Sequence, residues 1–265
     1  MGIELVSPLV ITGSALLFVG LERLYPYDRG QRVFRDGFWT DLVWYTLIQS
    51  YVLALVIREI IRAVDRWTAL SDLHIVSAWP LPAQLALFLV THDLYIYLFH
   101  RLQHRSPVLW RIHEAHHSVR DVDWLAGSRS HALEILINQT IEFLPMALLG
   151  ASPELPIIKG MVDAVWGMFI HSNIDVRLGR LGVIINGPEL HRWHHARDIT
   201  EGGINFGTKL AVWDYLFGTV VLPPAHPSGY GLTSPFPAGY FRQSAYAFRP
   251  FAAPARTAEA AEPLA

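Results

Sequence analysis

The chain has no cysteine, few charged residues and no run of lysine or arginine, and each shortage removes a class of protein. Without cysteine, disulfides, iron–sulfur clusters and thiolate-ligated metals are excluded. Charged residues make up 17% of the 265 against 52% hydrophobic ones, and mean hydropathy is positive. That balance fits a membrane protein better than a soluble enzyme of this length. A formal net charge of -2 with no basic cluster gives no reason to expect nucleic acid as a partner.

Long apolar stretches are present instead, at 8–24, 42–61 and 81–99. A bilayer span needs roughly 20 apolar residues, with ~17 as the lower limit. The first stretch lacks a basic leader and a small-residue cleavage site, so it reads as an uncleaved anchor. Arg29, Arg32 and Arg35 follow it, and the positive-inside tendency makes their loop cytoplasmic and the N-terminus external. The second span then runs outward, and the third returns to deliver His100 and His104 to the cytoplasmic face. Arg58, Arg62 and Arg66 fall on the outer side, with Glu59 and Asp65 as expected partners and the segment lying along the interface.

Residues 101–129 are rich in charge, histidine and tryptophan, with Pro107 breaking the helical pattern, and belong at the interface or in water. Two further apolar segments, 132–149 and 155–170, flank a turn at 150–153. Their polar residues, among them Glu134, Asn138, Glu142, Lys159 and Asp163, must face a cavity, a neighbouring helix or one another. As two crossings or one re-entrant hairpin, this pair brings His171 back to the side of the other histidines. The expected fold is an all-α integral membrane protein of four or five hydrophobic segments with a cytoplasmic, histidine-rich metal-binding cap. Residues 1–222 form the membrane-embedded domain; 223–265, rich in Pro, Ala and Gly, read as a loosely ordered cytoplasmic tail. The absence of a retention signal there favours a bacterial inner membrane over the endoplasmic reticulum.

Eleven of the thirteen histidines lie between His92 and His195, and eight fall in three clusters. These are His100/His104 in HRLQH, His113/His116/His117 in HEAHH, and His191/His194/His195 in HRWHH. Neutral imidazole binds iron, zinc or copper without adding charge. Spacings of three and four put rings on one helical face, whereas the adjacent pairs His116/His117 and His194/His195 diverge by about 100° and can serve different ions. So many imidazoles point to two metals. Spacing alone leaves iron and zinc open: a zinc pair would polarise water for hydrolysis, and a reduced iron pair would use dioxygen on an unactivated C–H bond. Membrane embedding favours iron, because a lipid can enter the site laterally. Haem is a third reading, since His100/His113 and His104/His117 are each thirteen apart. Arg101, Arg105, Pro107 and Arg111 argue against the continuous buried span it would need. A histidine-rich metal transporter is a fourth, although transporters hold ligands near the bilayer midplane.

The order HxxxH, HxxHH, HxxHH resembles the fatty acid hydroxylase/sterol desaturase superfamily, from about Glu22 to Thr219. The likeness extends to Asp93 and Tyr97 ahead of His100-Arg101, His171-Ser172-Asn173, Pro188, Asn205-Phe206-Gly207, Trp213-Asp214 and Phe217-Gly218-Thr219. It implies a membrane-bound, oxygen-dependent, non-haem di-iron enzyme that hydroxylates or desaturates a lipid. The ligands it implies are His100, His104, His113, His116, His117, His171, His191, His194 and His195. His131 is a further candidate, either as a ligand or as a group supporting the ligands, in a stretch where Ala132 replaces the family's usual proline. Asp93, Glu189 and Asp214 are candidates for orienting imidazole rings. His92, eight residues or about 12 Å of helix before His100, reads as a core histidine bonded to a neighbour, and His74 and His226 as surface residues. Two iron ions are the expected cofactor, with zinc as a replacement in purified protein. Electrons must come from a separate partner, a ferredoxin or a b-type cytochrome with its reductase.

Overall fold

Helix α1, Ile3–Leu24, is apolar along nearly all of its length and leaves Leu5, Leu9, Leu16 and Leu17 largely exposed. It opens a computed structural model that describes residues 2–199 and 203–251. Among the described residues all regular structure is helical, joined only by isolated bridges such as Pro26–Ile174 and Ile185–Leu210.

The second apolar stretch is one continuous run. Residues Thr40–Gln49 are wound as a π-helix and pass directly into α2, Ser50–Thr68. The hydroxyls of Thr46 and Ser50 donate to the carbonyls of Asp41 and Tyr45, five residues back, which suits the wider turn. Every fourth residue turns inward, from Asp41 through Tyr45, Gln49 and Leu53 to Ile57. Beyond Ile57 the helix turns charged, and it is not one of the two helices that, among the described residues, are long and apolar enough to cross a membrane. Those are Leu5–Leu24 and Leu81–Arg105. Of the expected partners for the outer arginines, Glu59 pairs with Arg58 and Arg62, whereas Asp65 accepts from Ser71.

Helix α3, Leu81–Arg105, carries Pro at its first turn and ends at Ser106. That residue also caps α4, Pro107–His117, by accepting from the Leu109 amide. Pro107 therefore starts a helix as well as ending one, because its missing N–H is not needed at the first position. Helices α5, Ala132–Leu148, and α6, Leu155–His171, form the expected hairpin; α1 packs on α6, and α2 on α5. Short helices α7, Pro188–His194, α8, Val212–Leu216, and α9, Tyr240–Tyr246, complete the chain.

The connections sort to two ends. At one, Val76 donates to the Leu149 carbonyl, and Val76, Phe88, Met146 and Leu155 form an apolar cluster. At the other, the arginine-bearing loop after α1 lies on the segment that follows α4. Gln31 donates to the Val122 carbonyl, and Arg35 bridges Asp123 and Asp41 at 2.9 and 2.8 Å. This second end collects the starts of α5 and α7 and the ends of α3, α4 and α6.

The expectation of loose order from residue 223 onward is corrected as far as Phe251. Tyr230 bridges to Ala196, Gln243 accepts from the Tyr45 hydroxyl, and Arg249 pairs with Glu114 at 2.9 Å. Tyr240 stacks on Trp44, and Phe241 meets the same ring edge-on. Aromatics scattered among Pro and Gly supply packing that a search for periodicity does not register.

Candidate metal centre

Nine histidines gather at this second end into two groups. Each group has its ligand-capable atoms within 4.8 Å of one another. One contains His100 and His104 from α3, His113 and His117 from α4, and His194 from α7; the other contains His116, His171, His191 and His195. All nine are buried. Adjacent rings are divided between the groups: His116 stands at 89° to His117, and His194 at 88° to His195. The groups touch, with the His117 and His195 ring centroids 4.7 Å apart.

Backbone carbonyls fix several rings. Nδ1 of His100 donates to Phe206 O at 2.9 Å, that of His194 to Ile204 O at 2.7 Å, that of His171 to Gly167 O at 2.8 Å and that of His116 to Arg129 O at 3.2 Å. A carbonyl only accepts, so each of these rings carries its hydrogen on Nδ1 and a lone pair on Nε2. The lone pairs of His116 and His171 face each other at 3.4 Å, and Nε2 of His100 and of His194 have no protein partner. Lone pairs turned toward one another repel unless a cation lies among them, so the donor set fits metal ions. Protons are poor substitutes. Burial, reinforced by neighbouring imidazoles, holds His113, His116, His117, His191, His194 and His195 well below the usual histidine pKa.

The remaining candidates are placed differently. His131 lies outside both groups. Its Nδ1 accepts from the Leu133 amide as the N-cap of α5, and its Nε2 donates to Ser244 O. With both nitrogens engaged, the ring has none left for a metal, which corrects the expectation of a ligand. Asp93 and Asp214 touch no imidazole and act through a loop. Asp93 accepts from Thr208, Lys209, Leu210 and Trp213; Asp214 accepts from the Phe206 and Gly207 amides and from Thr219. Together they set the turn whose Phe206 carbonyl holds His100. Glu189 is half-buried on α7 and lines a surface cavity with Tyr27, Arg192 and His226, so it orients no ring of either group. His92 is bonded to Lys159 at 3.0 Å, and His226 is exposed and stacked on Tyr27.

Four contributors went unassigned in the sequence. Glu134 accepts from His113 at 2.8 Å and from Gln103 at 2.9 Å; its one signal was an acidic residue at the start of an apolar segment. Arg129 supplies the carbonyl for His116 while its guanidinium grips Asp41 at 2.7 and 3.0 Å. Gly127 leaves room for the His171 ring, because a Cβ there would lie 2.6 Å from its Nδ1. Gly203 does the same for His104 at 2.8 Å, at a positive φ of 64°.

Between α3, α5 and α6 a cavity of about 230 Å³ reaches His100 and His113 of one group and His116, His171 and His191 of the other. Its wall also includes His92, Glu142, Asp163 and Lys209. The cavity thus gives a small molecule access to imidazoles of both groups.

The family model described as fatty acid hydroxylase matches residues 85–219, which take in all nine clustered histidines. The chain belongs to the fatty acid hydroxylase family. It is 37% identical over 171 residues to the ornithine lipid hydroxylase OlsE of Rhizobium tropici, a match covering 64% of this chain and 52% of that protein. It is 32% identical over 143 residues to the alkylglycerol monooxygenases of Homo sapiens and Danio rerio. These matches cover 54% of this chain and 32% and 31% of those proteins. The chain thus matches about half the length of the first relative and about a third of the others. No solved structure matches it.

Proposed function

We propose that the chain is a membrane-bound di-iron oxygenase that hydroxylates a C–H bond of a lipid. The observation that carries this reading is the pair of buried, thiolate-free histidine groups, five and four strong, both reached by one cavity. His100, His104, His113, His117 and His194 would hold one iron; His116, His171, His191 and His195 would hold the other. Iron bound there supplies dioxygen activation. The net reaction converts a C–H bond, dioxygen, two electrons and two protons into an alcohol and water. The chain's own residues do the rest. Glu134 and the carbonyls of Phe206, Ile204, Gly167 and Arg129 fix ring orientation, and the cavity positions the reacting carbon beside the imidazoles.

Relatives named as a hydroxylase and as monooxygenases favour oxygen insertion over desaturation. They also weigh against the metal transporter and the zinc hydrolase. Exposed leucines along α1 and exposed Leu47, Ile48, Tyr51 and Val52 on the second run support a bilayer setting. The arginine-rich loop, at the same end as the histidines, supports a metal site facing the cytoplasm of a multi-pass inner-membrane protein. Residues 1–222 form the catalytic domain in this reading, and 223–265 an extension. Two electrons arrive from a separate ferredoxin, or from a b-type cytochrome with its reductase.

The test is oxidation of lipid extract by iron-loaded, purified chain with a reduced ferredoxin under oxygen-18 gas. A lipid alcohol carrying the heavy isotope is the expected product. Label in no lipid, with two irons bound, would overturn the reading.

A further inference from the structure

Helix α4 supplies imidazoles to both groups, His113 and His117 to one and His116 to the other. It is only 11 residues long and starts at the break after Ser106, so its setting depends on what packs against it rather than on its own helical propensity. On the side that carries Arg111 and Glu114, three residues apart, the packing comes from the end of the described chain. The Glu114 carboxylate, 5% exposed, faces both terminal nitrogens of Arg249 at 2.9 and 3.0 Å. Arg111 donates in return to the carbonyls of Arg249 and Pro250 and lies 3.5 Å over the Phe251 ring. Arg249 is itself set by Tyr246, whose carbonyl it reaches at 3.0 Å and whose ring it covers.

The same segment holds the start of α5. The Ser244 carbonyl accepts from Nε2 of His131, the N-cap of that helix, at 3.1 Å, and Phe248 meets the His131 ring edge-on. Glu134, the acceptor that fixes His113, stands in the first turn of α5. One stretch, residues 240–251, therefore joins the helix that carries an imidazole to the helix that carries its acceptor. The 2.8 Å bond between His113 and Glu134 tolerates little sliding of one helix past the other. The stretch lies beyond residues 85–219, which the family model matches, so nothing in the histidine boxes announces it.

We propose that Arg249 is a positioning residue for the metal centre. Through Glu114 it keeps α4 in register with α5, and so holds the His113 ring against Glu134. Its planar, two-pronged contact fixes direction as well as distance, which a single ammonium does not. The inference rests on the reading of the histidines as metal ligands and on no step of the reaction.

The experiment is a double-mutant cycle on cobalt(II) affinity, measured on the full-length protein in detergent by competition with a chromophoric chelator. Arg249→Ala is expected to weaken binding about tenfold, the lower end of what losing an orienting partner costs. In a Glu134→Ala background the same substitution should cost less than about twofold, because the ring it served is already free; independent sites would add in full. Arg249→Lys, which keeps a charge beside Glu114, should fall between wild type and Arg249→Ala, and it carries the cycle if Arg249→Ala does not fold. Unchanged affinity in the Arg249 variants overturns the proposal. So does a fully additive loss, which would make the stretch a general support of the fold. Neither result touches the oxygenase reading, which cobalt does not test. A wild-type chain that binds no cobalt would remove the metal centre and the role of Arg249 together.

Discussion

Nε2 of His116 and Nε2 of His171 lie 3.4 Å apart while both rings use their Nδ1 hydrogens on backbone carbonyls. Two neutral acceptors do not hold that position by attraction to each other. The carbonyls of Arg129 and Gly167 impose it, and a metal ion relieves it. Ring by ring, the polypeptide prepares the tautomer that a metal needs.

Metal content should therefore divide between the groups. Elemental analysis of the wild-type chain is expected to find two metal ions. His194→Ala should lower the count to about one by emptying the five-histidine group, and His195→Ala should do so through the other. A wild-type count near one, or variants that keep both ions, would contradict the partition. Sequence spacing already separated His194 from His195 by about 100°, and their rings stand at 88°.

Glu134→Ala should weaken metal binding without removing a ligand. His113 loses its acceptor and Gln103 its partner, so the ring is free to turn. Loss of such an orienting group typically costs 10–100-fold in affinity. Competition with a chromophoric chelator reads this directly, and unchanged affinity would assign Glu134 to packing alone.

The histidines, the helix hairpin and the shared end of the three boxes were legible because each rests on local spacing and on parity of crossings. What orients the rings was not. Phe206 O and Ile204 O act through the backbone, where residue type carries no signal, and Asp93 and Asp214 act through the turn that presents them. His131 misled because its neighbourhood suggests a ligand, whereas its place before α5 makes it a cap. Residues 223–251 were misread because their contacts, Gln243 to Tyr45 and Arg249 to Glu114, are distant in sequence, and the rest of that segment lies outside the described residues.

His131→Ala should leave metal content at the wild-type value and lower stability by about 1 kcal/mol, the usual effect of losing an N-cap. Thermal unfolding beside elemental analysis separates the outcomes. Loss of a metal ion would restore His131 to the ligand set.

The metal-free protein should weaken as the solution is acidified. Unfolded histidines titrate near 6.5, whereas six imidazoles of the site stay neutral to well below that in the fold. Below about pH 6.5 the unfolded chain thus binds more protons than the native one. Stability falls with pH by up to about 1.4 kcal/mol per unit for each such ring. Unfolding temperatures at several pH values between neutrality and pH 5 should drop steadily, and a flat profile would mean that the rings protonate without hindrance.

Orientation can be tested against an unusually clean background, because the chain has no native cysteine. Arg32 and Arg66 lie at opposite ends of the helices, the first beside the segment that leads to the histidines and the second in the last turn of α2. In the proposed topology a cysteine at position 32 is shielded from an impermeant thiol reagent added to intact cells, and one at position 66 is labelled. Inverted vesicles should reverse the pattern. Labelling of position 32 in intact cells would place the histidine end outside the cytoplasm and deny it a cytoplasmic electron donor. Labelling of both positions from one side would instead mean that the run from Thr40 to Thr68 lies along the membrane surface, as its exposed Arg58, Glu59 and Arg62 allow.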